Sequence, residues 1–83
     1  MFDWDEANIA HIARHGVTPK EAEQAFANPL SDVIEQDHDG EIRYYQIGLT
    51  EELRCLVVLT TWRGEKLRVL TAYPAPRSLL RKL

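Results

Sequence analysis

Apolar residues recur at helical spacing as far as Phe26, and from Asp32 onward they recur at a spacing of two. This change of period divides the chain into a helical first part and a strand-forming remainder. The runs 32–37, 42–49, 53–63 and 66–73 read as four strands. Their connections, 37–40, 50–52 and 63–65, are short and polar, so consecutive strands are expected to pair antiparallel as a meander. Cys55-Leu56-Val57-Val58-Leu59 is apolar on both faces, which predicts that the third strand is central and covered on both sides. Pro74 and Pro76 end the sheet, and residues 77–83 are expected to form one helical turn or to fray.

The helical part carries its own start and stop signals. Asp5 can cap a helix beginning at Glu6, with Trp4 placed to staple against Ile9. Ile9, Ile12 and Ala13 then line one face, and Gly16 can end the helix in the left-handed conformation. Thr18-Pro19-Lys20-Glu21 combines a capping box with proline at the first helical position. The second helix points Ala22, Ala25 and Phe26 inward, and Asn28-Pro29 stops it because proline disfavours helical geometry in the residue before it. A chain of 83 residues supports one core and no second domain. The expected fold is α+β, with two N-terminal helices packed on a four-stranded antiparallel sheet and a short C-terminal helical turn.

With 45% hydrophobic residues in periodic runs, the chain reads as folded. The longest apolar run, 56–59, is far shorter than the ~20 residues of a membrane-spanning helix. No basic segment followed by an apolar one marks Met1 as the start of a secretion signal. Cys55 is alone and cannot form an internal disulfide, which fits a reducing, cytoplasmic setting.

The net charge of −3 argues against nonspecific coating of nucleic acid, but its distribution points the other way. Residues 1–42 hold two basic against ten acidic residues, a net of −8, while residues 43–83 hold eight basic against three acidic, a net of +5. The second half can meet a polyanion. The alternative is that these charges face solvent and pair across the fold.

Several side chains stand out as candidates for chemistry. Arg43, Arg54, Arg63, Arg68 and Arg77 lie on or beside the strands. Arg68 alternates with Leu70 and Ala72, so an otherwise apolar face would carry a guanidinium that needs a partner or a purpose. Arginine can also cover a core with its stem while its head reaches water. Arg63 precedes the turn at Gly64, where a solvated hairpin charge is the plainer reading, and Arg43 can pair across strands with Glu35. His11 and His15 stand four residues apart on one helix face with Asn8, a spacing that suits zinc, although no third ligand is evident nearby. His15 can equally serve as a cation at a helix C-terminus.

In order along the chain, Trp4-Asp5-Glu6, Arg14-His15-Gly16-Val17, Glu21-Ala22 with Phe26, Arg43-Tyr44 with Gly48, Arg63-Gly64 and Arg68-Val69-Leu70-Thr71-Ala72 resemble the successive signatures of BrnT-like toxins. That resemblance spans nearly the whole chain and implies a RelE-like fold and a metal-independent ribonuclease without cofactor, belonging to a type II toxin–antitoxin system. It also implies neutralisation by a BrnA-like DNA-binding antitoxin, with assembly as a homodimer or hetero-oligomer left open. Relatives commonly carry an arginine where Tyr73 stands and continue into a basic helix longer than the tail seen here.

Metal-free RNA cleavage requires that the ribose 2′-OH lose a proton, that the phosphorane's charge be stabilised and that the leaving 5′-oxygen be protonated. Arginine suits the charge step because its planar fork holds phosphate bidentately and stays protonated. Arg68, Arg63 and Arg43 are therefore the candidate phosphate holders, with His15 or Tyr73 moving a proton. Arg77, Arg81 and Lys82 are the candidate RNA-binding residues of the tail. Two other classes compete with an active ribonuclease. One is a binding module that keeps the partner surface without catalysis, as the exchange of arginine for Tyr73 favours, and the other is a regulatory domain with a metal-modulated histidine pair.

Overall fold

A computed structural model describes residues 1–81. Helices α1 (Glu6–Ala13) and α2 (Pro19–Ala27) precede strands β1 (Ile34–His38), β2 (Glu41–Leu49), β3 (Cys55–Arg63) and β4 (Lys66–Pro74), and a short helix α3 (Arg77–Leu80) follows. The sheet is antiparallel in the order β1-β2-β3-β4. The fold class expected from the sequence is the one observed. Among the described residues, no helix is long and apolar enough to cross a membrane.

The local signals act as anticipated. Asp5 accepts the Asn8 amide at 2.7 Å, and the Val17 amide returns to the Ile12 carbonyl at 3.1 Å across Gly16, whose φ is 72°. Thr18 and Glu21 cap each other reciprocally, with Pro19 opening α2. The first connection is tighter than the expected 37–40: β1 runs on to His38, which pairs with Glu41, and Asp39 and Gly40, with φ of 53° and 88°, close the hairpin as a two-residue turn whose twist matches its strands.

Both helices cover one face of the sheet. Ile12, Val17, Ala22 and Ala25 pack on Leu56, Val58, Val69 and Ala72, forming the buried core. Gly48 lets α2 approach closely, since a Cβ there would lie 1.8 Å from the Ala25 carbonyl oxygen. As expected, β3 is an inner strand buried on both faces, since residues 56–61 are all buried, but α1 and α2 cover only one of those faces. Phe26, expected inward, is only half-buried and stands edge-on to Phe2.

Helix α1 departs from expectation. Ile9 and Ala13 are exposed, and the buried residues are Asn8 and Ile12. The helix lies over the β4 edge of the sheet, so its inward stripe includes a polar residue that satisfies that edge: Asn8 Nδ2 donates to the Val69 carbonyl at 2.5 Å. Trp4 stacks on Phe2 and donates to Glu23 at 2.8 Å, which leaves Ile9 in solvent without the expected staple.

The N-terminal residues complete that edge. Phe2 pairs with Leu67 in a parallel bridge, the Asp3 amide donates to the Leu67 carbonyl at 2.9 Å, and the Leu67 amide donates to the Met1 carbonyl at 2.9 Å.

Two carboxylates couple this architecture to pH. The Asn8 amide and then the Arg68 guanidinium hold Asp5 below the ordinary aspartate value of 3.8. Burial would push Glu21 up, but the Thr18 amide and Arg54 outweigh it and hold the group below the ordinary glutamate value of 4.5. A carboxylate depressed in the folded state contributes stability that is present above its unfolded pKa and lost as pH falls through the folded one. The melting temperature is therefore expected to be flat above the ordinary carboxylate range and to fall progressively below it. Asp5→Asn combined with Glu21→Gln should flatten that acid limb, as thermal scans across pH would reveal.

Candidate active site on the open face of the sheet

A bulge decides which side chains reach the uncovered face. Leu59 pairs with Thr71 whereas Thr60 pairs with Val69, so Leu70 is the extra residue on β4. The alternation restarts there, and Arg68 shares the open face with Thr71 and Tyr73 instead of the helix-covered face with Ala72. The sequence expectation that Arg68 lies on the face of Leu70 and Ala72 is thus overturned by one inserted residue.

Alongside β4, α1 runs in the same direction with matched length. From Asp5 to His15 a helix rises about 15 Å, and from Arg68 to Tyr73 a strand rises about 16 Å. Residues at helical spacing consequently meet successive positions of the strand. Arg68 Nη2 lies 2.6 Å from Asp5 Oδ2, and His11 Nε2 lies 3.1 Å from Thr71 Oγ1. The His15 ring stands edge-on to Tyr73 at 6.0 Å and to His11 at 5.4 Å.

Tyr73 lines a groove of about 520 Å³ on the open face, together with Ile34, Tyr45, Ile47, Val57 and Leu79. That size lies within the range of small-ligand sites. Burial, and then the neighbouring Tyr45, push the Tyr73 phenol above its ordinary value of 10.0. It therefore stays protonated near neutral pH and can donate a hydrogen bond but cannot act as a base. Helix α3 directs Leu79 into the groove.

The arginines are dispersed. Arg68, with 15% of its side chain exposed, is bound by Asp5 and also by Asp3 at 3.6 Å, so it straps the N-terminal segment to β4. Arg43 pairs with Glu41 on its own strand at 2.8 Å, not with Glu35, because Glu35 stands opposite Tyr44 and Arg43 opposite Gln36. Arg63 forms no ion pair among the described residues and lies six positions along β3 from Val57, the partner of Tyr73, or about 20 Å away. Arg77 and Arg81 are exposed at the two ends of α3, and Lys82 lies outside the described residues. Arg54 binds Glu21 at 2.5 Å and the Gly16 carbonyl at 3.1 Å, joining the start of β3 to both helices.

Of the catalytic candidates, the structure brings His15 and Tyr73 together and leaves Arg43, Arg63 and Arg68 away from them. Sequence reasoning did not place His11, Thr71 and Tyr45 in the same cluster. The His11–His15 spacing was visible, but only the register of β4 shows what faces it. Among the described residues no three His, Cys, Asp or Glu side chains come together, so the histidine pair has no third ligand of that kind.

Arg68 should behave as a strap. Arg68→Ala is expected to lower the melting temperature by several degrees and to speed hydrogen exchange at the Leu67 amide, with Arg68→Lys restoring part of the loss.

These features define a small α+β domain that carries an aromatic groove on the open face of its sheet, with His15 beside the groove residue Tyr73. A family model described as the ribonuclease toxin BrnT of type II toxin–antitoxin systems matches residues 4–78. The chain belongs to that family. Membership implies an RNA target and an antitoxin partner. Among curated proteins no match was found.

Proposed function

We propose that this protein is a metal-independent endoribonuclease whose reaction centre is the His15–Tyr73 pair at the groove. The observation that carries the reading is the imidazole edge-on to a phenol that remains protonated, beside a groove lined by aromatic and aliphatic side chains. A nucleobase stacked on Tyr45 and Tyr73 would set the adjoining ribose beside His15, since base–aromatic stacking tolerates any base. Neutral His15 takes the 2′-OH proton, the 2′-oxygen attacks phosphorus and displaces the 5′-oxygen, and that oxygen leaves with the proton of the charged His15, either directly or through Tyr73, which His15 then reprotonates. The products are a 2′,3′-cyclic phosphate and a 5′-hydroxyl, with no water consumed.

Arg63, Arg77, Arg81 and Lys82 supply positive charge to the rest of the strand. Arg68 acts through Asp3 and Asp5, which it holds against β4, while Arg43 is engaged by Glu41 on its own strand.

Incubating the protein with an RNA oligonucleotide in EDTA and identifying the new ends by mass spectrometry tests this. Cleavage that gives cyclic-phosphate ends supports the reading, and cleavage that requires added metal overturns it.

The pairing of Arg43 and Arg68 with carboxylates favours a second reading. In it the domain binds without cleaving and serves as the partner of a BrnA-like DNA-binding antitoxin. Intact RNA under all conditions, together with a stable complex with such an antitoxin, would support it.

A further inference from the structure

The two edges of the sheet are treated differently. On β4 the outward backbone groups of Leu67 and Val69 are taken by Met1, Asp3 and Asn8. On β1 no strand pairs outside Ile34–His38 among the described residues, and all five of its residues are exposed. Beside this edge Leu30, Val33 and Ile34 are exposed by 41%, 49% and 59%. An open edge with apolar side chains beside it is a template for one more strand, and proteins that leave such an edge alone usually blunt it.

The charge of the edge restricts what can occupy it. Asp32, Glu35, Asp37 and Asp39 fall within eight residues that contain no lysine or arginine, and none of the four is in an ion pair among the described residues. A polyanion is repelled. A second copy is also disfavoured, because antiparallel self-pairing centred on Gln36 would set Glu35 opposite Asp37 twice, and like charges directly opposite destabilise a sheet.

We infer that the β1 edge binds a basic, extended segment of another protein by strand addition, with backbone hydrogen bonds supplying affinity and alternating lysine or arginine side chains supplying selectivity. Added there, the segment continues the open face beside Ile34 and Gln36, which line the groove. Its binding therefore reaches the rim of the proposed active site from the edge opposite His15. The inference stands without RNA cleavage, since the β1 edge and its charges are independent of the His15–Tyr73 pair.

The test titrates the full chain with three fluorescent heptapeptides: alternating lysine and valine, the same with glutamate in place of lysine, and the lysine peptide with alternate backbone nitrogens methylated. The expected result is saturable anisotropy with the lysine peptide alone and amide exchange across residues 34–38 slowed by about tenfold or more. Glu35→Lys combined with Asp37→Lys should reverse the preference toward the glutamate peptide. Four outcomes overturn the inference. They are equal binding of the methylated peptide, which would mean charge attraction without a ladder; protection confined to other strands; protection of the same amides by an RNA oligonucleotide; or a dimer in ultracentrifugation that protects them without peptide. Because no readout uses cleavage, failure here leaves the proposed activity untouched, and the reverse also holds.

Discussion

Replacing His15 by alanine is expected to lower RNA cleavage by about 10²–10⁴-fold, the usual contribution of a positioned acid or base. The side chain is exposed and makes no hydrogen bond among the described residues, so removing it leaves no buried polar group unpaired. The loss should therefore appear in the rate of the chemical step with little change in melting temperature. Tyr73→Phe keeps the ring that packs in the groove and removes only the phenol, so it should weaken cleavage by up to about 10²-fold while RNA affinity is kept. Tyr73→Ala should weaken affinity as well. Single-turnover cleavage and filter binding on the same preparations separate these effects. A His15→Ala protein that cleaves at the parent rate would remove the reaction centre proposed here.

The second large effect is on stability. In Gly48→Ala the new methyl group would meet the backbone of Ala25, with the carbonyl oxygen at 1.8 Å and the carbonyl carbon at 2.5 Å. Backbone cannot turn aside as a flexible side chain can, so α2 must lift from β2. That would strain the bonds from Gln46 Nε2 to the Phe26 carbonyl at 2.8 Å and from the Leu49 amide to the Asn28 carbonyl at 3.0 Å. Overpacking of this kind costs about 3 kcal/mol or more. For a domain of this size each kcal/mol shifts the melting temperature by about 4–8 °C, so a fall of ~12 °C or more is expected. Calorimetry checks it, and a fall of only a degree or two would mean that α2 sits less tightly on the sheet.

Gly48 was visible in the sequence as part of a resemblance, yet nothing local explains why a glycine is needed in a strand. The reason is the approach of a helix more than twenty residues earlier in the chain. His15 was also visible, first as one of a histidine pair and then as a candidate acid or base. The candidate set around it was less legible. Arg68 stands out in the sequence through an alternation that Leu70 interrupts in the fold, and a bulge leaves little trace in composition. Arg43 was expected to reach Glu35 across strands, and a register in which Gln36 takes the opposing position sends it to Glu41 instead.

The open groove shows the same division. Tyr45, Val57 and Tyr73 come from three strands and share a face only because the pairing sets Tyr73 opposite Val57 and Val57 opposite Ile47. Period-two reasoning puts each residue on one face of its own strand, but it does not say which faces coincide across strands until the registers are known.

By itself the sequence determined what a few neighbouring residues can settle: the caps at Asp5 and Thr18, the breaks at Gly16 and Pro29, a short polar connection within 37–40, four strands in a meander, and the family that these signatures identify. The tertiary structure alone decided that the inward stripe of α1 is Asn8 and Ile12, that Arg68 holds the N-terminal strap, that His15 meets Tyr73, and that the N-terminal residues and α1 satisfy part of the β4 edge while no strand among the described residues pairs outside β1. The physical reason is separation along the chain. Caps and turns are hydrogen bonds between residues two to five apart, so their donors and acceptors can be read in order. The contacts of Asp5, Asn8, His11 and His15 with β4 span about sixty residues. They depend on the bulge at Leu70, on the lie of α1 along the sheet edge and on the near equality of the helix and strand rises between the same two ends.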